Sequence, residues 1–345
     1  MIAILLLIFF LVSLIALFPW KNSVTKFFLF SFLGLLLILI AAFRSEEGNP
    51  DYEVYVSYFY DQDFLLVEPT FVIFAKMVSF LFGPYPIYIF IIYAILGVTL
   101  KFAAIKQLSK LWFLSIIVYI GNFFVLQDMI QIRAGVASAL LLLCIKPIFD
   151  RDLKKFLFIS IWAILFHISA LVILPLWFLP KIKDRILIFL LYIIIPISCV
   201  IYFLKTNLIM ALPIPVVQEK IDIYVALQES GVENVLTEIN VFNYVFLVNV
   251  LIFYLLLIKH KLLLFHNKYA LILLAIYGIG LSSYAALATL PVFAGRISGL
   301  LEIVEIILIP FLYYTISPKY ISKLLVIFWA LGMILIHLFR SKLIS

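Results

Sequence analysis

The sequence predicts an all-α polytopic membrane protein with about 10–12 transmembrane helices. Of its 345 residues, 67% are apolar and 12% are charged, whereas soluble domains are about half apolar and about a quarter charged. The apolar residues form runs close to the length of roughly 20 residues that one helix needs to cross a bilayer. The few charged residues collect in connectors that are alternately basic and acidic, as the positive-inside rule predicts for a chain threaded repeatedly through a membrane.

The connectors set the predicted topology. Three basic connectors are assigned to the cytoplasm, namely Lys21 to Lys26, Lys146 to Lys155 and Lys259 to Lys268. Two acidic connectors are assigned to the outside and are called external loop one (residues 44–69) and external loop two (residues 205–240). Residues 2–18 are interpreted as a retained first span, because they lack the basic segment and small-residue cleavage site of a signal peptide. Residues 1–345 are therefore predicted to form a single integral membrane domain.

Ten apolar runs are predicted to cross the bilayer. They are residues 2–18, 27–43, 86–105, 111–127, 130–145, 186–204, 241–258, 270–289, 297–316 and 323–338. Residues 70–83 are short for a span and end at Gly83-Pro84, which favours an interfacial or partly inserted helix.

Residues 156–180 predict a broken or re-entrant helix. Both flanks are basic, with Lys154 and Lys155 before the run and Lys181 after it, and the run is long enough for one span but not for two. Two half-helices that enter from the same side would leave both flanks in the cytoplasm, provided that the bend is buried in protein or lines a wet cavity. The bend would fall near His167. The alternative is a simple span that leaves the second basic flank outside.

Three arginines from distant stretches are predicted to meet at the outer face. Arg44 follows the second span, Arg133 lies at the outer corner between the fourth and fifth spans, and Arg296 immediately precedes the run 297–316. Because the planar guanidinium matches phosphate oxygens and stays charged, such a cluster is suited to a diphosphate. The alternative is that each arginine snorkels to the interface or pairs with a loop acid.

Two further polar positions lie within apolar runs. His167 is an ionisable residue at bilayer depth, where function is the default hypothesis, although a buried histidine also commonly hydrogen-bonds a neighbouring helix. Glu302 and Glu305 share one helix face and could orient Arg296 or carry protons in a transporter.

External loop one supplies candidates for acid–base chemistry and for sugar binding. Glu46 and Asp51 could accept a proton from a sugar hydroxyl, and Tyr52 and Tyr55 could stack on sugar faces. We add Gln131, at the outer corner, and Tyr224, in external loop two, as candidate substrate contacts.

The sequence gives no support for cofactor, metal or nucleic-acid chemistry. It contains no glycine-rich phosphate loop and no His or Cys pair at metal-ligand spacing. The net charge of +7 lies mostly in connectors, where topology and anionic membrane lipids explain it.

Several short motifs, in order, resemble one polymerase family. They are Phe43-Arg44, Gly48-Asn49-Pro50-Asp51-Tyr52-x-x-Tyr55, Glu68-Pro69-x-Phe71, Gln131-Ile132-Arg133-x-Gly135-Val136-Ala137, Phe166-His167-x-Ser169-Ala170 and a late Arg296. Between residues 40 and 310 the chain resembles the EpsG-type branch of the Wzy polysaccharide polymerases. It departs from the family pattern at Asn49-Pro50, where the usual spacing is closer to Gly-x-Asp.

The resemblance implies a GT-C-like glycosyltransferase in the bacterial inner membrane, with its active site facing the periplasm. Such an enzyme joins oligosaccharide repeat units on undecaprenyl diphosphate in the biosynthesis of O-antigen, capsule or exopolysaccharide. The growing glycan passes to a hydroxyl at the non-reducing end of an incoming lipid-linked unit. His167 and Asp51 compete as the base for that hydroxyl, and the three arginines would stabilise the leaving diphosphate. Expected partners are the lipid-linked oligosaccharide, membrane lipids and a chain-length regulator protein.

Two alternatives remain open. A glycosyltransferase or ligase with a lipid-phosphate donor would use the acids of external loop one as its catalytic centre. A transporter or flippase of lipid-linked glycans would use Glu302, Glu305 and Lys76 as a polar path. Transporters often contain internal repeats, and no second copy of the Gln-x-Arg or His-x-Ser block is present.

Overall fold

The computed structural model describes residues 1–46, 49–61, 67–205 and 239–340, and within these ranges the chain is helical and has no β-strand. The helices are α1 (Ile2–Leu17), α2 (Ser23–Ala42), α3 (Tyr52–Tyr60), α4 (Pro69–Phe82), α5 (Ile87–Leu108), α6 (Trp112–Ile130), α7 (Ile132–Asp150), α8 (Leu153–Phe166), α9 (Asp184–Phe203), α10 (Tyr244–Ile258), α11 (His260–His266), α12 (Ala270–Ala286), α13 (Pro291–Leu301) and α14 (Lys319–Leu335). Most of external loop two, including Tyr224, lies outside the described residues.

The predicted all-α membrane fold is confirmed. Among the described residues, six helices are long and apolar enough to cross a bilayer, and the pair α10–α11, bent by 74° at Lys259, makes a seventh if it is one span. Four shorter apolar helices, of 10–17 residues, are Ile2–Leu17, Pro69–Phe82, Ile168–Lys181 and Ala270–Ala286. The sharp bend at Lys259 was not predicted, because residues 241–258 read as a plain span.

Several helices begin at a side chain that caps the first turn. The Asn22 amide oxygen accepts from the backbone of Val24 and Thr25 at 2.8 and 3.2 Å. Asp152 and Asn243 cap α8 and α10 in the same way. Because the first backbone N–H groups of a helix have no partner within it, these connector residues fix where the apolar runs start.

The predicted break at His167 is present, and the two halves form a hairpin. Helix α8 ends at Phe166, His167 is extended (φ −157°, ψ 120°), and a 3₁₀ helix continues over Ile168–Lys181. The ring of Phe156, near the start of α8, stacks on Trp177, near the end of the 3₁₀ helix, with centroids 5.1 Å apart. The two halves therefore run antiparallel, and both basic flanks lie on the same side.

The 3₁₀ helix explains how a short segment returns to the side from which it entered. Fourteen residues of α8 rise about 21 Å, and fourteen residues at the 3₁₀ rise extend about 28 Å. Pro175 and Pro180 interrupt regular α-helix in the returning half. The bend consequently lies far from the basic flanks, at the opposite end of the two halves.

Helix α6 is wound loosely and packed tightly. It changes from α-helix at Trp112–Val118 to π-helix at Tyr119–Ile130. Of an apolar stretch of 18 residues in this helix, 94% are buried. A Cβ atom on Gly121 would lie 2.6 Å from the carbonyl oxygen of Ala330 in α14. The two backbones can therefore approach only because this position is glycine.

The turn between α6 and α7, predicted as the outer corner, is mostly buried. Gln127 and Asp128 are buried, and only Gln131, at the turn itself, is exposed. The reason is that Lys101 of α5 reaches Asp128 with Nζ 2.9 and 2.8 Å from the two carboxylate oxygens. This buried ion pair pulls the end of α6 into the bundle.

The hairpin gives a testable topology. Single cysteines at Lys154 and at Lys183, both exposed, are expected to react with an impermeant maleimide from the same side of the membrane, because both flank the antiparallel halves. The measurement is labelling of intact cells against inverted vesicles, with a cysteine at Asp61, in external loop one, as the opposite-side control. Labelling of the cysteines at positions 154 and 183 from opposite sides of the membrane would show a simple span instead.

Candidate functional site

One carboxylate joins three distant parts of the chain at the end of the bundle that carries external loop one. Glu68 precedes α4, and its Oε1 lies 2.9 Å from Nδ1 of His167 at the bend of the hairpin. Its Oε2 accepts from the guanidinium of Arg133 in the first turn of α7. All three side chains are largely shielded from solvent. Glu68 therefore ties external loop one, the hairpin and the α6–α7 turn together.

The charge of Glu68 is stabilised by its partners. Burial alone would raise the pKa of this carboxyl group, but the hydrogen bond from His167 and the charge of Arg133 outweigh it and lower the pKa to about 2. Glu68 is consequently ionised at neutral pH, and it neutralises Arg133 in a poorly solvated position.

This contact also orients the imidazole of His167. An ionised carboxylate can only accept a hydrogen bond, so the His167 Nδ1 carries the proton that Glu68 accepts. In the neutral ring this leaves Nε2 as a proton acceptor. A histidine whose Nδ1–H is held by a carboxylate is the arrangement that many enzymes use for a general base.

Aromatic rings surround Arg133. Its guanidinium carbon lies 5.5 Å from the ring centroids of both Tyr55 and Tyr58, and Tyr55 stacks on Phe71 of α4 with centroids 5.8 Å apart. The predicted substrate residue Tyr55 is thus part of the packing around Arg133. It is buried to 5% exposure.

Arg44 is buried at the same end of the bundle. One guanidinium nitrogen donates to the Met129 carbonyl oxygen at 2.6 Å, and the Asn49 amide donates to that oxygen at 2.8 Å. The guanidinium lies over the Phe90 ring, 4.8 Å from its centroid. Burial lowers the pKa of Arg44 to about 10, with partial compensation from Tyr55 and Asp128.

Arg44 and Arg133 have further donor capacity. The Nε and second terminal nitrogen of Arg44, and the Nε of Arg133, are buried and have no hydrogen-bond partner. Buried donors without partners cost about 1–3 kcal/mol each in a folded protein. An anionic ligand would satisfy them.

Asp51 and Arg296 lie within electrostatic reach of this cluster. Burial raises the pKa of Asp51, and the positive charges of Arg133 and Arg296 partly offset the rise. Arg296 is an exposed residue in the second turn of α13. The three predicted arginines thus come from distant stretches to one end of the bundle.

The other predicted residues are placed differently. Glu46 is exposed beside Glu53, and their hydrogen bond raises the pKa of Glu46. Tyr52 stacks on Phe90, with centroids 4.7 Å apart. Gln131 is exposed at the α6–α7 turn.

Glu302 lies beside Gly280 of α12. Its neighbour Glu305 is fully buried, and its two carboxylate oxygens accept from the amides of Asn122 and Asn249 at 2.7 and 3.0 Å. These contacts link α6, α10 and the segment after α13 inside the bundle.

Sequence reasoning missed Glu68 as a site residue. It belongs to the Glu68-Pro69-x-Phe71 motif of the family resemblance, but it was not named as a candidate site residue. Asn49 and Lys101 were also missed. In the sequence Lys101 resembles the other basic residues near a cytoplasmic connector. Its side chain instead donates to Asp128 and to the carbonyl oxygen of Gly135, near the start of α7.

Among the described residues, no group of three His, Cys, Asp or Glu side chains could hold a metal ion.

Comparison with known proteins gives one match. The sequence model of the EpsG family matches residues 27–344. Neither a curated protein nor a solved structure matches the chain significantly.

Replacing Glu68 by glutamine tests the central contact. Because the folded-state pKa of Glu68 is depressed from 4.5 to about 2, its ionised form stabilises the fold by about 3 kcal/mol above pH 4.5, and this contribution is lost as the pH falls towards 2. The measurement is thermal unfolding of the purified protein in detergent across that pH range. Glu68→Gln is expected to unfold at a lower temperature than the wild type at pH 7, with the difference shrinking in acid.

The control is Asp61→Asn, which removes an exposed loop-one carboxylate and is expected to leave the profile unchanged. A Glu68→Gln protein as stable as the wild type at pH 7 would contradict the assigned role of the contact.

Proposed function

This chain belongs to the EpsG family, and on that premise we propose that it is a glycosyltransferase that polymerises lipid-linked oligosaccharide repeat units. The donor is a growing glycan on undecaprenyl diphosphate, and the acceptor is a hydroxyl at the non-reducing end of an incoming lipid-linked unit. The reaction takes place at the periplasmic face of a bacterial inner membrane. The contact of Glu68 with both His167 and Arg133 carries the proposal.

The reaction needs a base for the attacking hydroxyl. In the proposed mechanism, Nε2 of His167 takes that proton while Glu68 holds Nδ1 and keeps the ring in one tautomer. Glu68 acts as a positioning residue. Asp51 is the competing base, and burial raises the pKa of its carboxyl group.

The reaction also needs positive charge where negative charge develops. As the hydroxyl oxygen bonds to the anomeric carbon, the bond from that carbon to the diphosphate oxygen breaks, and undecaprenyl diphosphate leaves with the electron pair. Arg44, Arg133 and Arg296 are the proposed diphosphate ligands. The buried unpartnered donors of Arg44 and Arg133 support this assignment, because donors fixed before the reaction stabilise the transition state without reorganising.

Substituting Arg133 tests the diphosphate site. Arg133→Lys keeps the charge but loses the planar fork, so we expect glycan chain extension to fall at least tenfold, and removal of such a donor commonly costs about 10²–10³ in rate. The measurement is the glycan ladder of a deletion strain complemented with each variant. The matched control is Arg185→Lys, which changes an exposed arginine at the start of α9. A normal glycan ladder with Arg133→Lys would show that Arg133 is not a diphosphate ligand.

Substituting His167 tests the base. His167→Ala is expected to reduce chain extension by about 10²–10⁴, the usual contribution of a general base, and to leave lipid-linked single repeat units accumulated at the periplasmic face. His266→Ala, at the last residue of α11, is the control for a histidine outside the site.

The location of the accumulated unit separates the two classes of protein. Units trapped at the cytoplasmic face would indicate a transporter. Unchanged chain length in His167→Ala with a loss in Asp51→Asn would transfer the role of base to Asp51.

A further inference from the structure

An apolar groove of about 260 Å³ lies between α2 and α5, on the surface of the bundle away from the Glu68 contacts. Its floor is buried and contains Phe30, Gly34 and Phe102. A Cβ atom at Gly34 would lie 3.1 Å from the Phe102 ring, so the absence of a side chain there lets Phe102 form the floor. Leu35 and Thr99 form exposed walls.

One end of the groove is positively charged. Lys106 lines the groove and lies over the Phe27 ring, 4.6 Å from its centroid. Lys26 lies one residue before Phe27, and its Nζ donates to the Lys110 carbonyl oxygen at 3.1 Å. The two connectors that meet here, residues 20–26 and 105–112, contain lysines and no acidic residue.

We propose that this groove binds one acyl chain of an anionic phospholipid, with the headgroup phosphate between Lys26 and Lys106. The apolar floor provides the contact surface for the chain, and the lysines select an anionic headgroup over a zwitterionic one. Basic pockets between helix ends are the usual way in which membrane proteins recognise such lipids. The proposal concerns a lipid ligand and does not depend on the proposed reaction.

The polyprenyl tail of a substrate is the other possible occupant, and the position of the groove argues against it. The groove extends from Phe27 to Ile38 along α2. Arg44 lies six residues beyond Ile38, a rise of about 9 Å, and the lysines are at the opposite end of the helix. A lipid whose diphosphate contacts Arg44 would have its charged group at the wrong end for Lys26 and Lys106.

The test is native mass spectrometry of the purified full-length protein released from nanodiscs that contain equal amounts of phosphatidylglycerol and phosphatidylcholine. The wild type is expected to retain phosphatidylglycerol preferentially. Lys106→Gln is expected to weaken this binding about fivefold. One lysine near an anionic membrane surface contributes about 1 kcal/mol, which corresponds to about fivefold in affinity. Thr99→Phe, which fills the groove from an exposed wall, is expected to abolish the preference while leaving the lysines in place.

The matched control is Lys183→Gln, an exposed lysine that flanks the hairpin, and it should retain the lipid like the wild type. Thermal unfolding of each variant in detergent shows whether it is folded. Equal retention of the two lipids by the wild type, unchanged binding in folded Lys106→Gln and Thr99→Phe, or displacement of phosphatidylglycerol by undecaprenyl phosphate would each overturn the proposal.

Discussion

The carboxylate of Glu68 is the interaction on which this end of the molecule depends. A buried carboxylate or guanidinium is expensive unless it is paired and hydrogen-bonded, and here one carboxylate satisfies both Arg133 and the His167 Nδ1–H. The start of α4, the bend of the hairpin and the first turn of α7 are therefore held in one arrangement. A charged group that fixes the structure in this way also fixes the orientation of the groups proposed to react.

A second buried ion pair, between Lys101 and Asp128, lies beside the backbone that Arg44 contacts. Lys101 and Asp128 hold the end of α6, with the Tyr119 hydroxyl donating to Asp128 at 2.8 Å. A Cβ atom at Gly97 would lie 2.1 Å from the Asp128 Oδ1, so α5 can approach this pair only through a glycine. The next residue, Met129, offers the carbonyl oxygen that Arg44 and Asn49 share. The interior pair thus positions backbone atoms of the site as well as closing the bundle.

Much of this arrangement could be predicted because it follows from local patterns. The basic flanks of residues 156–180 and their insufficient length for two spans predict the hairpin, and the structure confirms it. Arg44, Arg133 and Arg296 could be picked out because a charge at the end of an apolar run is conspicuous. Glu68 and Lys101 could not, since each resembles ordinary connector charge until its partner, 99 or 27 residues away, is known.

The sequence by itself determined the class of protein, the apolar runs, the broken segment and the family, because hydropathy, charge alternation and short motifs are properties of neighbouring residues. Only the tertiary structure decided which charges meet. It turned Asp128 inward to Lys101, placed Glu302 beside Gly280 and made Glu68 the partner of His167. The physical reason is that pairing of buried charges depends on distance in three dimensions, and helix packing brings together side chains that the chain order keeps far apart.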